Sequence, residues 1–218
     1  MKTYLDCLPC LMRQALKAAR AATNDEKLHH LVLCAVAEMI RGLPLESRPP
    51  ELAQQVYRRT YDILGNHDPF REAKMEANQR ALLLYPRLKR LVDDSPDPLL
   101  TACKLAIAGN SIDLGPDFQV ADFEDLVGTA LSSGLAINDY DKLRNAIFTS
   151  RRILYLGDNA GEIVFDRVLI EELHRLRGLD ICFAVRDRPI INDVTKDDAS
   201  AVGMGKIATV VSTGSDAP

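Results

Sequence analysis

The stretch Arg151–Asp166, RRILYLGDNAGEIVFD, changes from a strand pattern to a helical one within a few residues, and it restricts the fold more than any other segment. Arg152 to Leu156 is a short β-branched and aromatic run after a polar linker. Gly157-Asp158-Asn159-Ala160-Gly161 is a tight turn, and from Glu162 apolar residues recur at helical spacing. Strand, turn and helix in that order open a βαβ unit. In open α/β sheets ligands bind outside the carboxyl ends of strands, where helix N-termini also point, so Asp158 and Asn159 stand where chemistry is usually done.

Two more strand patterns follow, Asp180–Val185 and Ala208–Val211, separated by helical segments 162–177 and about 195–203. Strands alternating with helices of this length predict right-handed βαβ units and a parallel sheet. Before Ser150 every periodic segment is helical. Cys7-Leu8-Pro9-Cys10 starts the first helix, with Pro9 in its opening turn. Asn24-Asp25-Glu26 caps a second, and Arg48-Pro49-Pro50 breaks the chain before a third, Glu51 to about Leu64. A fourth runs from Arg71 to about Tyr85, with Pro86 near its end and Arg87–Val92 as a further turn or short helix. Asp97-Pro98 opens an apolar helix that ends at Gly109-Asn110, and two amphipathic helices follow at about 122–130 and 139–148. The expected class is α/β: a helical domain at 1–149, then a doubly wound, mostly parallel Rossmann-like sheet at 150–218. Three strands make a small sheet with open edges, and the sequence stops just after one of them, so the α/β part reads as incomplete at its C-terminus.

Composition narrows the partners. With 47% hydrophobic and 27% charged residues the 218-residue chain can bury a substantial core. A net charge of −4 gives no electrostatic footprint for nucleic acid or an anionic membrane. No apolar run approaches the roughly 20 residues that span a bilayer, and Met1–Asp6 lacks the apolar segment of a secretory signal, so a cytoplasmic location is expected. Five cysteines, an odd number set mostly in apolar patterns, suggest reduced thiols. Only Cys7 and Cys10 form a deliberate-looking pair. At a helix N-terminus that spacing suits half of a second metal site, zinc or iron-sulfur, or a redox pair; no second C-x-x-C exists, and Cys34, His29, His30 and His67 could complete a site only through the fold.

Asn192-Asp193 follows the second strand as Asp158-Asn159 follows the first. Adjacent parallel strands bring such loops together, and two carboxylates with an amide carbonyl make an oxygen-only set suited to a hard divalent cation. The plainer alternative is equally open: Asp158 and Asn159 are turn residues, and Asn192-Asp193 caps a helix beginning near Val194. Arg186 and Arg188 could supply positive charge near such a site, though solvated loop arginines are the blander reading.

The segments Leu156-Gly157-Asp158-Asn159-Ala160-Gly161-Glu162 and Val185-Arg186-Asp187-Arg188-Pro189-Ile190-Ile191-Asn192-Asp193-Val194-Thr195 together resemble the two signature segments of the damage-control phosphatase (ARMT-like) family. Asp68-Pro69-Phe70 with Lys74 and Asn78, Asp97-Pro98-Leu99, and Ala106–Asn110 through Asp113-Leu114-Gly115 resemble its helical-domain segments. Cys7 to Cys10 resembles its small C-x-x-C-bearing branch, so the likeness covers nearly the whole chain.

The resemblance implies a metal-dependent phosphomonoester hydrolase acting on small phosphorylated metabolites, such as sugar phosphates or damaged phosphometabolites. It maps one divalent metal (Mn²⁺, Mg²⁺, Co²⁺ or Ni²⁺) onto Asp158, Asn159 and Asp193, which polarises the phosphoryl group and orients water. Glu162 is a candidate for orientation or proton transfer, and also an ordinary helix N-terminal acid. Asn110, Asp113 and Asn192 are candidates for the substrate pocket. Family members continue through Gly-rich and lysine-bearing segments that grip phosphate, and the sequence at Pro218 stops before them. The open sheet edge after Val211 leaves room for a further strand or a partner chain, including a second copy. The alternative from another class is a non-catalytic metal- or metabolite-binding protein on the same scaffold.

Overall fold

A computed structural model describes residues 2–111 and 120–218. The chain divides into two compact units, each discontinuous in sequence. The first is Met1–Glu72 with Arg186–Asp193 and Gly214–Pro218; the second is Ala73–Val185 with Val194–Thr213.

In the first unit three helices, α1 (Cys7–Ala22), α2 (Glu26–Gly42) and α3 (Pro49–Leu64), pack on one another. Their shared core is Leu11, Ala15, Ala19, Val32, Val36, Leu52 and Val56. Asp25 caps α2 by accepting the Lys27 N–H at 2.8 Å. Pro49 and Pro50 start α3 rather than delay it. A first-turn residue needs no intrahelical N–H, so proline is tolerated there and its fixed φ suits the helix. A second apolar patch, Ala18, Tyr57, Tyr61, Phe70 and Ile190, underlies the segment that leads to Asp193.

The second unit holds most of α4 (Arg71–Asp93), then α5 (Pro98–Gly109), α6 (Val120–Ser132) and α7 (Tyr140–Thr149). The α/β run follows: β1 (Arg152–Leu156), α8 (Glu162–Arg177), β2 (Asp180–Val185), α9 (Lys196–Ala201), a 3₁₀ turn at Met204–Lys206, and β3 (Thr209–Ser212). The sheet is parallel in the order β1-β2-β3, with Arg152 opposite Asp180 and Cys182 opposite Thr209. Strand limits agree with the sequence pattern to within a residue. α4 does not: it runs through Pro86, because Ala81, Leu84, Leu88 and Val92 continue one buried stripe across it. Burying that stripe offsets the roughly 3 kcal/mol an interior proline costs. No described helix is long and apolar enough to cross a membrane.

Two glycines set close approaches in this unit. At Gly109 an added Cβ would lie 2.8 Å from Phe165 Cβ, so α5 and α8 meet almost backbone to side chain. At Gly157, where β1 gives way to the acidic turn, a Cβ would lie 2.4 Å from Phe183 Cζ and 3.0 Å from Val194 Cγ2. Phe183 is fully buried and stacks on Tyr155, its register partner, at 5.6 Å. It has nowhere to retreat. Gly157→Ala should therefore cost about 1–3 kcal/mol by overpacking, read as a Tm lower by several degrees in thermal unfolding. An unchanged Tm would show that the strand end relaxes freely.

Candidate functional site

The turn after β1 gathers acidic side chains on the N-terminus of α8. Asp158 is exposed, and Asn159 and Glu162 are half-buried. Asn159 Nδ2 donates to Asp158 Oδ2 at 3.0 Å and to Glu162 Oε2 at 3.1 Å. Glu162 Oε2 also accepts from Asn110 Nδ2, at the end of α5, at 3.0 Å. Two amides thus fix the carboxylate of Glu162, the first residue of α8, where the helix dipole favours negative charge. Because Asn159 spends its amide N–H groups on the carboxylates, its carbonyl Oδ1 faces away from them, and that is the atom a hard cation takes.

One turn further along α8, Asp166 is 3% exposed and accepts the Tyr155 hydroxyl at 2.5 Å. Burial pushes the Asp166 carboxyl up to about 7, with Glu162 and then Asp158 adding repulsion; the Tyr155 hydrogen bond pulls the other way. Burial likewise holds the Tyr155 hydroxyl well above the usual phenol range, next to Asp166. Three carboxyl groups, Asp158, Glu162 and Asp166, therefore gather at one end of this unit. Asp166 was not legible as a site residue. Its only sequence signal is an acid four residues after Glu162 inside the apolar run Ile163 to Val168.

Backbone contacts hold the turn on two sides. Gly157 N–H donates to Ala184 O at 2.9 Å, and Asp158 O accepts Val194 N–H at 2.7 Å. Gly161 closes the turn at φ 84°, a conformation that L side chains rarely adopt.

Asp193 belongs to the first unit, where it is 5% exposed and accepts Arg186 Nε at 2.7 Å. Arg186 is thus a half-buried ion-pair partner, not a solvated loop arginine; Arg188 stays exposed. Nor do Asn192 and Asp193 cap the next helix. Thr195 does so, its N–H and hydroxyl donating to Asp198 Oδ2 at 2.9 and 2.8 Å. Ile191, immediately before, has φ 45°, strained for a β-branched residue, and its N–H donates to the Tyr61 hydroxyl at 3.3 Å. Strain of this kind persists only where surroundings over-determine it, often at ligand sites. Burial pushes the Tyr61 hydroxyl up to about 12, with the charges of Asp68 and Asp193 adding to it. Asn192 is exposed on the same turn.

Cys7 and Cys10, both half-buried free thiols, line a cavity of about 650 Å³ in the first unit together with Leu11, Gln14, Pro50 and Tyr57. Among the described residues no group of three or more His, Cys, Asp or Glu side chains is placed to hold a metal. Cys34 instead lies 3.6 Å from His30 on α2. Of the candidate pocket residues, Asn110 meets Glu162 as described, while Asp113 lies outside the described residues.

Known proteins resemble the chain along nearly its whole length. Residues 3–218 match the damage-control phosphatase ARMT1-like domain. The chain is 37% identical over 215 residues to a damage-control phosphatase of Archaeoglobus fulgidus, covering 95% of this chain and 73% of that protein. It is 32% identical over 215 residues to a damage-control phosphatase of Pyrococcus horikoshii, covering 98% and 74%. An uncharacterised protein of Methanocaldococcus jannaschii is 35% identical over 221 residues, covering 99% and 72%. The crystal structure of a DUF89 family protein from Pyrococcus horikoshii superposes with a TM-score of 0.90 at 31% identity, covering 99% of this chain and 75% of that one. With a match along essentially its whole length and relatives above 30% identity, the chain belongs to the damage-control phosphatase ARMT1-like domain family.

Proposed function

We propose that the protein is a divalent-metal-dependent phosphatase acting on phosphate esters of small metabolites, with Asp158, Asn159 and Asp193 as the metal ligands. The observation that most favours this reading is the turn in which one amide, Asn159, ties Asp158 to Glu162 while the Asp166 carboxyl lies beneath them. Family membership supplies the reaction class. The oxygen-only donors suit Mg²⁺, Mn²⁺, Co²⁺ or Ni²⁺, and crowded carboxylates are what a cation relieves. When bound, such a metal supplies Lewis-acid polarisation of a phosphoryl oxygen and a coordinated water of lowered pKa.

The chain's own side chains have distinct parts in this proposal. Asp158 and Asp193 provide anionic oxygens, and Asn159 a neutral one. Glu162, oriented by Asn110 and Asn159, receives the proton of the attacking water or holds that water in line. Asn110 and Asn192 contact the polar body of the metabolite. Asp166, whose buried carboxyl is raised to about 7, lies beneath these groups without touching substrate.

Turnover of p-nitrophenyl phosphate should appear on adding Mn²⁺, Mg²⁺, Co²⁺ or Ni²⁺ to chelator-treated protein. It should fall on the order of 10²-fold or more in Asp158→Ala. Metal binding by calorimetry with no turnover on this substrate or a panel of sugar phosphates would instead make the chain a non-catalytic binding protein.

The buried carboxyl of Asp166 predicts a pH signature. Its folded pKa, about 7, lies above the ordinary carboxylate value, so the folded state holds a proton that the unfolded chain has lost between about pH 4 and pH 7. Stability in chelator should fall as pH rises through that window, by on the order of a few kcal/mol, and then level off. Asp166→Asn should flatten the slope in urea unfolding followed from pH 4.5 to 8. A variant with the wild-type slope would assign the dependence to another group.

A further inference from the structure

The acidic turn is held on a third side by a side chain distant in sequence. Asn78, on α4 and 3% exposed, accepts the Gly161 N–H on Oδ1 at 2.7 Å. Its Nδ2 donates to Asp198 Oδ1 at 3.1 Å. The other oxygen of Asp198 receives Lys74 Nζ at 3.3 Å together with the N–H and hydroxyl of Thr195. Lys74 is 3%, Asp198 6% and Thr195 9% exposed, so the network lies away from solvent. Thr195 follows Val194, whose N–H donates to Asp158 O. A closed ring results: from Asp158 along the turn to Gly161, across to Asn78, to Asp198, to Thr195, and back through Val194 to Asp158.

We propose that Asn78 is a positioning residue for the metal-binding turn, fixing Asp158 and Asn159 through Gly161; this rests on the phosphatase reading above. The chemistry at 78 is demanding. The position needs an acceptor for Gly161 N–H and, on the same short side chain, a donor for Asp198. A carboxamide provides both. Aspartate keeps the acceptor but sets a second carboxylate against Asp198, and leucine keeps the approximate volume and provides neither. Gly161 sits at positive φ, and no side chain caps the N-terminus of α8 at that residue, so its N–H depends on Asn78. Without the Asn78 acceptor the Gly161 N–H would be a buried donor without a partner, and the turn would shift to rehydrate it. Residues that orient metal ligands in this way are typically worth about 10- to 100-fold in metal affinity.

The test compares Asn78→Leu and Asn78→Asp with Leu88→Ala, a core variant on the same helix that lowers stability without touching the ring. Three readouts are taken below every variant's Tm: amide exchange at Gly161 by NMR, Mn²⁺ affinity by paramagnetic resonance, and kcat with KM for p-nitrophenyl phosphate. The expected result is rapid Gly161 exchange, Mn²⁺ affinity about 10-fold or more weaker and reduced kcat in both Asn78 variants, with Leu88→Ala close to wild type in all three. Wild-type Mn²⁺ affinity in folded Asn78→Leu would overturn the proposal, as would an equal loss in Leu88→Ala. If wild-type protein binds no Mn²⁺, the metal reading fails and Asn78 is judged on exchange alone. Protection of Gly161 lost only in the Asn78 variants would keep its role in holding the turn, and protection retained would end it. If Mn²⁺ binds without turnover, the phosphatase reading fails and the affinity comparison still decides the role of Asn78.

Discussion

A buried carboxamide that accepts one N–H and donates one of its own, Asn78, ties the strand-to-helix turn after β1 to the capping box that starts α9. Each loop alone is a short stretch of backbone with polar groups to satisfy. Joined through Asp198 and Lys74 they become one rigid polar network in a low-dielectric setting, where a satisfied network stiffens and an unsatisfied one is costly. The buried Lys74–Asp198 pair makes sense in these terms. A buried ion pair is a weak source of net stability, but here the charge on Asp198 lets one carboxylate serve Lys74, Asn78 and both donors of Thr195.

Carboxylates accumulate on top of that network. Asp158, Glu162 and Asp166 would repel one another if all were ionised and unscreened, and burial already penalises the charged form of Asp166. The protein distributes the cost in several ways. Asn110 and Asn159 give Glu162 two amide donors, the α8 N-terminus adds its dipole, and Tyr155 donates a hydroxyl to Asp166. In the other unit Arg186 neutralises Asp193 beside a strained Ile191. Stability alone does not favour gathering Asp158, Glu162 and Asp166 at one end of a helix.

The sequence announced the parts of the fold that depend on local period. β1, β2 and α8 lie where alternation and helical spacing put them, because apolar patterning and the Gly-bounded turn act within a dozen residues. It misled at prolines: Pro49-Pro50 begin α3, and Pro86 sits inside α4, where a buried stripe outweighs the local penalty. At the site, Asp158 and Asn159 were readable as strand-end polar residues and Glu162 as a first-turn acid of the next helix. Asp166 was hidden because a buried acid in a helix has no pattern of its own. Lys74 and Asn78 stood out only through family likeness, since their partner Asp198 is more than a hundred residues away and nothing local declares the pairing. The role of Asn192-Asp193 was likewise ambiguous, because capping belongs to Thr195 two positions later.

Gly109 has a reach beyond its own contact. The absence of a side chain there lets α5 settle against Phe165, and the next residue, Asn110, then extends its amide to Glu162. Any larger residue would lift the end of α5 away from α8 and take that amide with it. The way the Glu162 carboxylate is held in the candidate site is therefore governed partly by how closely two uncharged surfaces can touch, so that drift in an apolar seam displaces a polar contact at its far end.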